Sequence, residues 1–200
     1  MILYKSLPTE IRYKNRKYKI KPYFNNVLFC LEVFNNNAYT DEEKIYLCYK
    51  ALVKKQLTQH NYTEVVAILS KVFDVLFEDK NKRKENKKSF DFTQDAKYIY
   101  AGFMQCYGIN LFEYKNKLHW WEFNALFQGL SRDTRIMQII DIRTRPIPRR
   151  DKTNGEYINN LLKQKAEYKL ELSQEEQEKE IQQSLGDLFS ALSNMAEKEC

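Results

Sequence analysis

The strongest constraint on the fold is a succession of segments in which apolar side chains recur every three or four residues. That spacing places the side chains on one face of an α-helix. The first such face consists of Phe24, Val27, Leu28, Leu31 and Phe34. Similar faces occur in residues 45–53, 65–76, 96–107, 118–128 and 136–140. The chain is therefore predicted to be mainly α, a multi-helix domain in which these faces pack together.

The residues before the first helix show a different pattern. Ile11 and Tyr13 alternate with polar residues before a turn near Asn15, and Tyr18 and Ile20 alternate after it. Alternation with a period of two is typical of β-strands. A small N-terminal β-hairpin is therefore predicted, and its apolar side must lie on the helices because an isolated hairpin is only marginally stable.

Residues typical of helix ends mark several boundaries. Thr40 and Glu43 have the spacing of a capping box, and a third helix is predicted to start near Thr63. Prolines at 146 and 148 end the last of these helices at Arg145. Four further positions are typical of helix ends: Thr93 and Ser131 as N-caps, and Gly108 and Gly129 as left-handed residues after a helix.

Charged stretches suggest how the chain is organised. Residues 78–89, EDKNKRKENKKS, contain no apolar side chain and are predicted to be mobile. We predict an N-terminal hairpin plus helices (1–78), a basic mobile linker (79–89), an aromatic-rich helical core (90–150) and a polar helical extension (151–200). The extension contains a C-terminal amphipathic segment with the apolar residues Ile181, Leu185, Leu188, Phe189 and Leu192.

Motifs for catalysis or for cofactor binding are missing from the sequence. The four cysteines lack metal-ligand spacing, and no glycine-rich phosphate loop or nucleophile motif occurs. His119 and Glu122 share a helix face and could form a general base, but hydrogen bonding at a helix start is the simpler interpretation. We therefore expect a non-enzymatic protein without a cofactor or metal.

Basic side chains are concentrated in residues 80–88 and 143–152, whereas residues 171–180 are acidic. Basic charge beside aromatic rings could bind nucleic acid. The aromatic residues here have helix-core spacing and the charges lie in predicted linkers, so we favour solvated linkers. The chain has no apolar run of about 18 residues and no secretory signal at its N-terminus. It is therefore expected in the cytoplasm and not in a membrane.

The adjacent tryptophans Trp120 and Trp121 belong to two different stripes of one helix. The first stripe is Trp120, Phe123, Phe127 and Leu130; the second is Leu118, Trp121 and Ala125. A helix that is apolar over so wide an arc is either enclosed in the core or exposes one stripe to a partner. Both interpretations stay open. If a partner binds, the first stripe and the amphipathic segment 181–192 are the predicted contact surfaces.

Residues 90–145 resemble the bacteriophage gene-product-15 family. The resemblance rests on FDFTQDAKYIYAGFMQCYGINL, LHWWEFNALFQGL and IMQIIDIRT, and the N-terminal layout with Leu7-Pro8 is compatible with it. The most specific matches are Asp91, Asp95, Ile99, Tyr100, Ala101, Tyr107, Gly108, Ile109, Leu111, Leu118, His119, Trp120, Trp121, Phe123, Ala125, Leu126, Gly129 and Leu130. The family brings no established catalytic residues.

The resemblance implies a siphophage tail assembly chaperone in the cytoplasm of the host bacterium. Its expected partner is the tape-measure protein, and the tail-tube protein and a neighbouring chaperone gene product are further candidates. Two alternatives stay open: a minor structural tail component that is retained in the virion, and a basic nucleic-acid-binding module. A homo-oligomer is also compatible with the sequence.

Overall fold

The computed structural model describes residues 3–54, 61–77 and 88–171. Residues 1–168 belong to one compact unit, and a second unit begins at Lys169. The elements in order are β1 (Glu10–Tyr13), β2 (Arg16–Lys19), α1 (Phe24–Asn35), α2 (Asp41–Leu52), α3 (Tyr62–Leu76), α4 (Ala96–Tyr107), α5 (Trp120–Gln128), α6 (Arg135–Thr144) and α7 (Gly155–Glu167). The predicted mainly α fold, with an N-terminal hairpin and a helix in the C-terminal extension, is confirmed.

The hairpin turns at the predicted place, near Asn15. β1 and β2 are antiparallel, with Ile11 opposite Tyr18, and both side chains are buried. Lys14 and Asn15 at the turn have φ values of 45° and 58°, as in a type I′ turn, whose twist matches that of the strands. β1 contacts α3, and the Lys14 ammonium lies 3.1 Å from the Glu64 carboxylate. The helices thus stabilise the hairpin.

The predicted capping box of α2 is confirmed. The Thr40 hydroxyl accepts a hydrogen bond from the Glu43 amide at 3.3 Å. In return, the Glu43 carboxylate accepts one from the Thr40 amide at 2.8 Å. α3 starts one residue before Thr63, and its first turn is capped by the Asn61 side chain, which accepts from the Glu64 amide at 2.9 Å. These bonds satisfy amides that have no partner within the helix.

The buried face of α1 is rotated from the predicted one. Phe24 and Val27 are buried as expected, but Cys30 and Val33 complete the face and Phe34 is exposed. Cys30 packs against Cys48 of α2, and each thiol lies about 4 Å from the other residue's carbonyl oxygen. Small side chains here let the two helices approach closely. A hydrogen bond with Cys48, together with burial, raises the pKa of the Cys30 thiol.

Several predicted helix ends in the second half differ from the structure. Thr93 is not an N-cap: it lies in a turn whose amides, at Thr93 and Gln94, are bound by the Asp91 carboxylate at 2.8 and 2.9 Å. α6 is preceded by Thr134 rather than capped by Ser131. Gly108 has the predicted left-handed conformation, with a φ of 65°. The same prediction is wrong for the other glycine, because Gly129 has a φ of −87°.

A buried ion pair connects α4 to α6. The Arg143 guanidinium contacts both carboxylate oxygens of Asp95, with N–O distances of 2.6 and 2.9 Å. The guanidinium also donates to the carbonyl oxygens of Ser89 at 3.2 Å and of Tyr168 at 2.6 Å. One side chain therefore connects the segment before α4 to α4 itself, to α6 and to the residue after α7.

One cluster of buried side chains includes residues from both 1–78 and 90–150. Backbone hydrogen bonds also join these parts: the Phe24 amide donates to the Leu118 carbonyl at 3.1 Å, and the Trp120 amide donates to the Pro22 carbonyl at 2.8 Å. Most of the predicted linker lies outside the described residues, so the proposed division into segments stays a prediction. None of the helices in the described ranges is long and apolar enough to span a membrane.

Candidate protein-binding surface

The first predicted contact stripe lies in the core. Trp120, Phe123, Phe127 and Leu130 are each at most 6% exposed. The interpretation that encloses this stripe in the core therefore describes the free chain, and its role in partner binding stays a prediction. The stripe is enclosed because α5 contacts both α1 and α4, which cover it from two sides.

The side chain of Phe123 lies at the centre of a ring stack. Its ring is 5.0 Å from that of Phe24 on α1 and 5.0 Å from that of Phe103 on α4, with interplanar angles of 10° and 12°. The Trp120 ring lies 5.7 Å away at 19°. We call these four residues the Phe123 stack. Stacked ring pairs contribute beyond the area that they bury, so the stack holds three helices together.

The second tryptophan connects α5 to the end of α3. Trp121 is half-buried, and its indole nitrogen donates to the carbonyl oxygen of Leu76 at 3.1 Å. The last carbonyl groups of a helix lack partners within that helix, and this bond satisfies one of them. Of the other members of this stripe, Leu118 is buried and Ala125 is exposed.

His119 has the structural role that the sequence favoured. Its Nδ1 accepts from the Trp121 amide at 3.1 Å, and the Glu122 carboxylate accepts from the His119 amide at 2.9 Å. The other ring nitrogen lies 3.2 Å from the Pro8 carbonyl oxygen and donates to it when the ring is neutral. Burial lowers the pKa of His119. The described residues contain no cluster of three or more His, Cys, Asp or Glu side chains placed to hold a metal ion.

The second predicted contact segment, with Ile181, Leu185, Leu188, Phe189 and Leu192, lies outside the described residues. Its role in binding stays a prediction. The exposed surface of the described residues offers another candidate.

An apolar stripe runs along one flank of α3. Tyr62, Val66, Phe73 and Phe77 are separated by four, seven and four residues, so they share one side of the helix. Phe73 is half-buried and the other three are exposed. This flank is distinct from the buried face, which consists of Val65, Ile68, Leu69, Val72 and Leu76.

Rings from neighbouring helices extend this flank at both ends. The Tyr46 ring of α2 lies 6.0 Å from that of Tyr62, and the Phe34 ring of α1 lies 5.7 Å from that of Phe73. We define the aromatic stripe as Phe34, Tyr46, Tyr62, Val66, Phe73 and Phe77; all except Phe73 are 36–42% exposed. It follows the 15 residues of α3, roughly 22 Å.

The inner end of the aromatic stripe rests on the core. The Phe77 ring lies 5.8 Å from that of Phe73 and 5.8 Å from that of the buried Trp120. Single exposed apolar residues are common on protein surfaces, whereas contiguous apolar patches mark binding sites. Ring contacts join Phe34, Phe73 and Phe77 into one patch that the core holds, so this end of the stripe can bind an apolar helix face without first being ordered. The exposed Ser70 separates this patch from Tyr62 and Val66.

Sequence reasoning did not identify the aromatic stripe as a surface. A signal was present: Val66 follows the core residue Val65, and Phe77 follows the core residue Leu76. Adjacent apolar residues cannot share one helix face, so α3 is apolar over a wider arc than one contact can bury.

The comparisons with known proteins agree with the resemblance found in the motifs. A family model described as Bacteriophage Gp15 protein matches residues 3–170. No curated protein matches the chain, and no solved structure matches it. The family match covers both the hairpin and the aromatic-rich helices, far more than half of the chain. The chain therefore belongs to the Bacteriophage Gp15 protein family.

Proposed function

We propose that this protein is a phage tail assembly chaperone that binds the tape-measure protein in the host cytoplasm until the tail tube assembles. It acts by binding and not by catalysis. The observation that carries the proposal is the exposed aromatic stripe along α3, in a chain that belongs to a phage protein family. The tail-tube protein and a neighbouring chaperone gene product are further proposed partners.

The geometry of the aromatic stripe suits an amphipathic helix. Before assembly, a long helical tape-measure protein would expose apolar helix faces that must be covered reversibly. Apolar side chains at i, i+3, i+4 and i+7 of a helix can lie against an apolar surface of another protein. A stripe of roughly 22 Å matches about four turns of such a helix, and aromatic side chains dominate the energetics of protein interfaces.

The rigidity of the supporting core favours the same function. Trp120 lies under Phe77 and Trp121 binds the end of α3, so the core supports the stripe at this end. A preorganised surface loses less conformational entropy on binding. The rings that are half-exposed in the free chain would become covered in the complex.

Co-expression with the cognate tape-measure protein tests the proposal. We expect the tape-measure protein to be soluble and to copurify with the wild-type chain. The variant Val66→Ser/Phe77→Ser, which removes two apolar anchors, should bind at least about tenfold more weakly. Phe112→Ser/Leu162→Ser is the matched control, because it removes two exposed apolar side chains outside the stripe.

Two results would contradict the proposal. In the first, the tape-measure protein is equally soluble without this chain and does not bind it. In the second, mass spectrometry of purified virions finds this chain in stoichiometric amounts, which would indicate a structural tail component.

A further inference from the structure

A second surface, separate from the aromatic stripe, lies beside α6. It is a cleft of about 790 Å³ that α6 lines together with Arg132, Arg145 and one residue of α7, Gln164. Its apolar side chains are Met137, Ile140 and Ile142, which are half-buried or buried. The arginines Arg132, Arg135 and Arg145 are exposed around them. Both apolar and basic side chains therefore line the cleft, and we call the three apolar residues its floor and the three arginines its rim.

The positive charge of this rim is only partly compensated. Arg145 forms a salt bridge with Asp141, which also lines the cleft. Within the described ranges 3–54, 61–77 and 88–171, no carboxylate forms a salt bridge with Arg132 or Arg135. Two guanidinium groups at the cleft are thus available to an anionic partner.

Neutral side chains hold one of these groups in position. The Arg135 guanidinium lies over the Tyr168 ring at 5.2 Å and donates to the Tyr168 hydroxyl at 2.5 Å. It also donates to the Gln138 side chain at 3.3 Å. These contacts restrict its rotamers without neutralising its charge. An arginine that is ordered in advance loses less entropy when it binds a carboxylate.

We infer that this cleft binds an acidic helical segment of a partner protein, with carboxylates at the arginines and apolar side chains on the floor. Guanidinium groups bind carboxylates through two parallel hydrogen bonds, and covering the floor with apolar groups is favourable because both surfaces leave water. Nucleic acid fits less well, because none of the described side chains that line the cleft is an aromatic ring on which a base could stack. The inference does not rest on the proposed function, since it concerns a different surface.

Fluorescence anisotropy with the full chain and a designed peptide tests the inference. The probe is an amphipathic helix of about 18 residues, or roughly 27 Å, with a leucine face flanked by glutamates. A second peptide has glutamine at every glutamate position. We expect the glutamate peptide to bind at least about tenfold more tightly at low salt, and the difference to shrink as salt screens the charges.

Two double variants locate the binding site. Arg132→Gln/Arg135→Gln should weaken binding of the glutamate peptide about tenfold. Arg12→Gln/Arg16→Gln removes the same charge from two exposed hairpin residues and should change it less than about twofold. Circular dichroism melts check that all variants are folded.

The inference is overturned by any of three results. In the first, the glutamate and glutamine peptides bind equally well. In the second, the two double variants weaken binding equally. In the third, a single-stranded oligonucleotide competes with the peptide, and its binding depends on Arg132 and Arg135. The last result would assign the cleft to nucleic acid. Because none of these experiments uses the tape-measure protein, they can fail while the proposed function holds.

Discussion

The Phe123 stack and the aromatic stripe are both built from aromatic side chains on helices, yet only one of them is enclosed. The Phe123 ring lies between Phe24 and Phe103 with its whole surface buried. The Phe77 ring rests on Trp120 and Phe73 but is 42% exposed. Aromatic side chains therefore stabilise the fold in the Phe123 stack and, in our proposal, bind a partner in the aromatic stripe.

The difference arises from the number of helices that cover each set of rings. α5 is covered by α1 and α4, whereas among the described residues the stripe side of α3 is contacted at its edges by the rings of Phe34 and Tyr46. An aromatic residue stabilises the fold in proportion to the area it buries. Removing a ring should therefore lower the free energy of unfolding more in the Phe123 stack than in the aromatic stripe, although the side chains are chemically alike.

The largest loss of stability is expected for Phe123→Ala. Truncating a fully buried ring should lower the free energy of unfolding by about 3–5 kcal/mol, because the cavity is surrounded by rings from three helices. Urea denaturation followed by circular dichroism measures this loss. Phe112→Ala, at a ring that is 66% exposed, should cost less than about 1 kcal/mol. Equal losses for the two variants would contradict the enclosure of the Phe123 stack.

A somewhat smaller loss is expected at the ion pair that holds α6 against α4. Arg143→Met should cost about 3 kcal/mol, because the Asp95 carboxylate, 2% exposed, then lacks its counter-charge. The double variant Arg143→Met/Asp95→Leu should regain part of that loss in the same urea experiment. If the losses of the single variants Arg143→Met and Asp95→Leu add up to the loss of the double variant, Asp95 and Arg143 are not coupled.

Removing a ring from the aromatic stripe should cost far less stability than removing one from the core. Phe77→Ala should lower the free energy of unfolding by about 1 kcal/mol, because the ring is partly exposed in the folded chain. Binding of the tape-measure protein, measured by titration, should weaken about tenfold. If Phe77→Ala costs as much stability as Phe123→Ala, the stripe belongs to the core and the contrast between the two regions fails.

The smallest effect concerns the pH dependence of stability near the start of α5. Burial lowers the pKa of His119 below its ordinary value of 6.5, so the unfolded chain takes up a proton at a higher pH than the folded chain. The contribution of neutral His119 to the free energy of unfolding is fully present above pH 6.5 and is lost as the pH falls through the pKa of His119 in the folded chain. Protonation also removes the acceptor of the Trp121 amide.

Melting temperatures between about pH 7.5 and 5, where unperturbed Asp and Glu stay largely ionised, would measure this loss. His119→Asn keeps a side chain that can cap a helix and should flatten the curve over this range. An unchanged slope in His119→Asn would assign the pH dependence to other groups.

Local features of the fold could be predicted because their causes are local. The hairpin follows from alternation around Asn15, the start of α2 follows from Thr40 and Glu43, and Gly108 adopts the conformation that glycine tolerates best. The buried face of α2 also follows the apolar spacing, and so does that of α3 apart from Phe73, which is half-buried. In each case, a few neighbouring residues decide the outcome.

Features that depend on distant parts of the chain could not be predicted in the same way. Contacts with α1 and α4, both of which precede α5 in the sequence, determine which stripe of α5 becomes buried. Asp95 and Arg143 are 48 residues apart, and neither shows its partner in the local pattern. Because Asp91 rather than Thr93 binds the turn before α4, even that helix start could not be placed from the propensity of Thr for capping alone.

The backbone contacts between residues 22–24 and 118–120 have a consequence for biosynthesis. The Pro22 carbonyl and the Phe24 amide find their partners only when Trp120 and Leu118 have left the ribosome. Phe24 likewise lacks its stacking partner Phe123 until that point. The apolar side chains of α1 that pack against α5 therefore stay uncovered in the nascent chain, and this part of the core forms only after α5 has been translated.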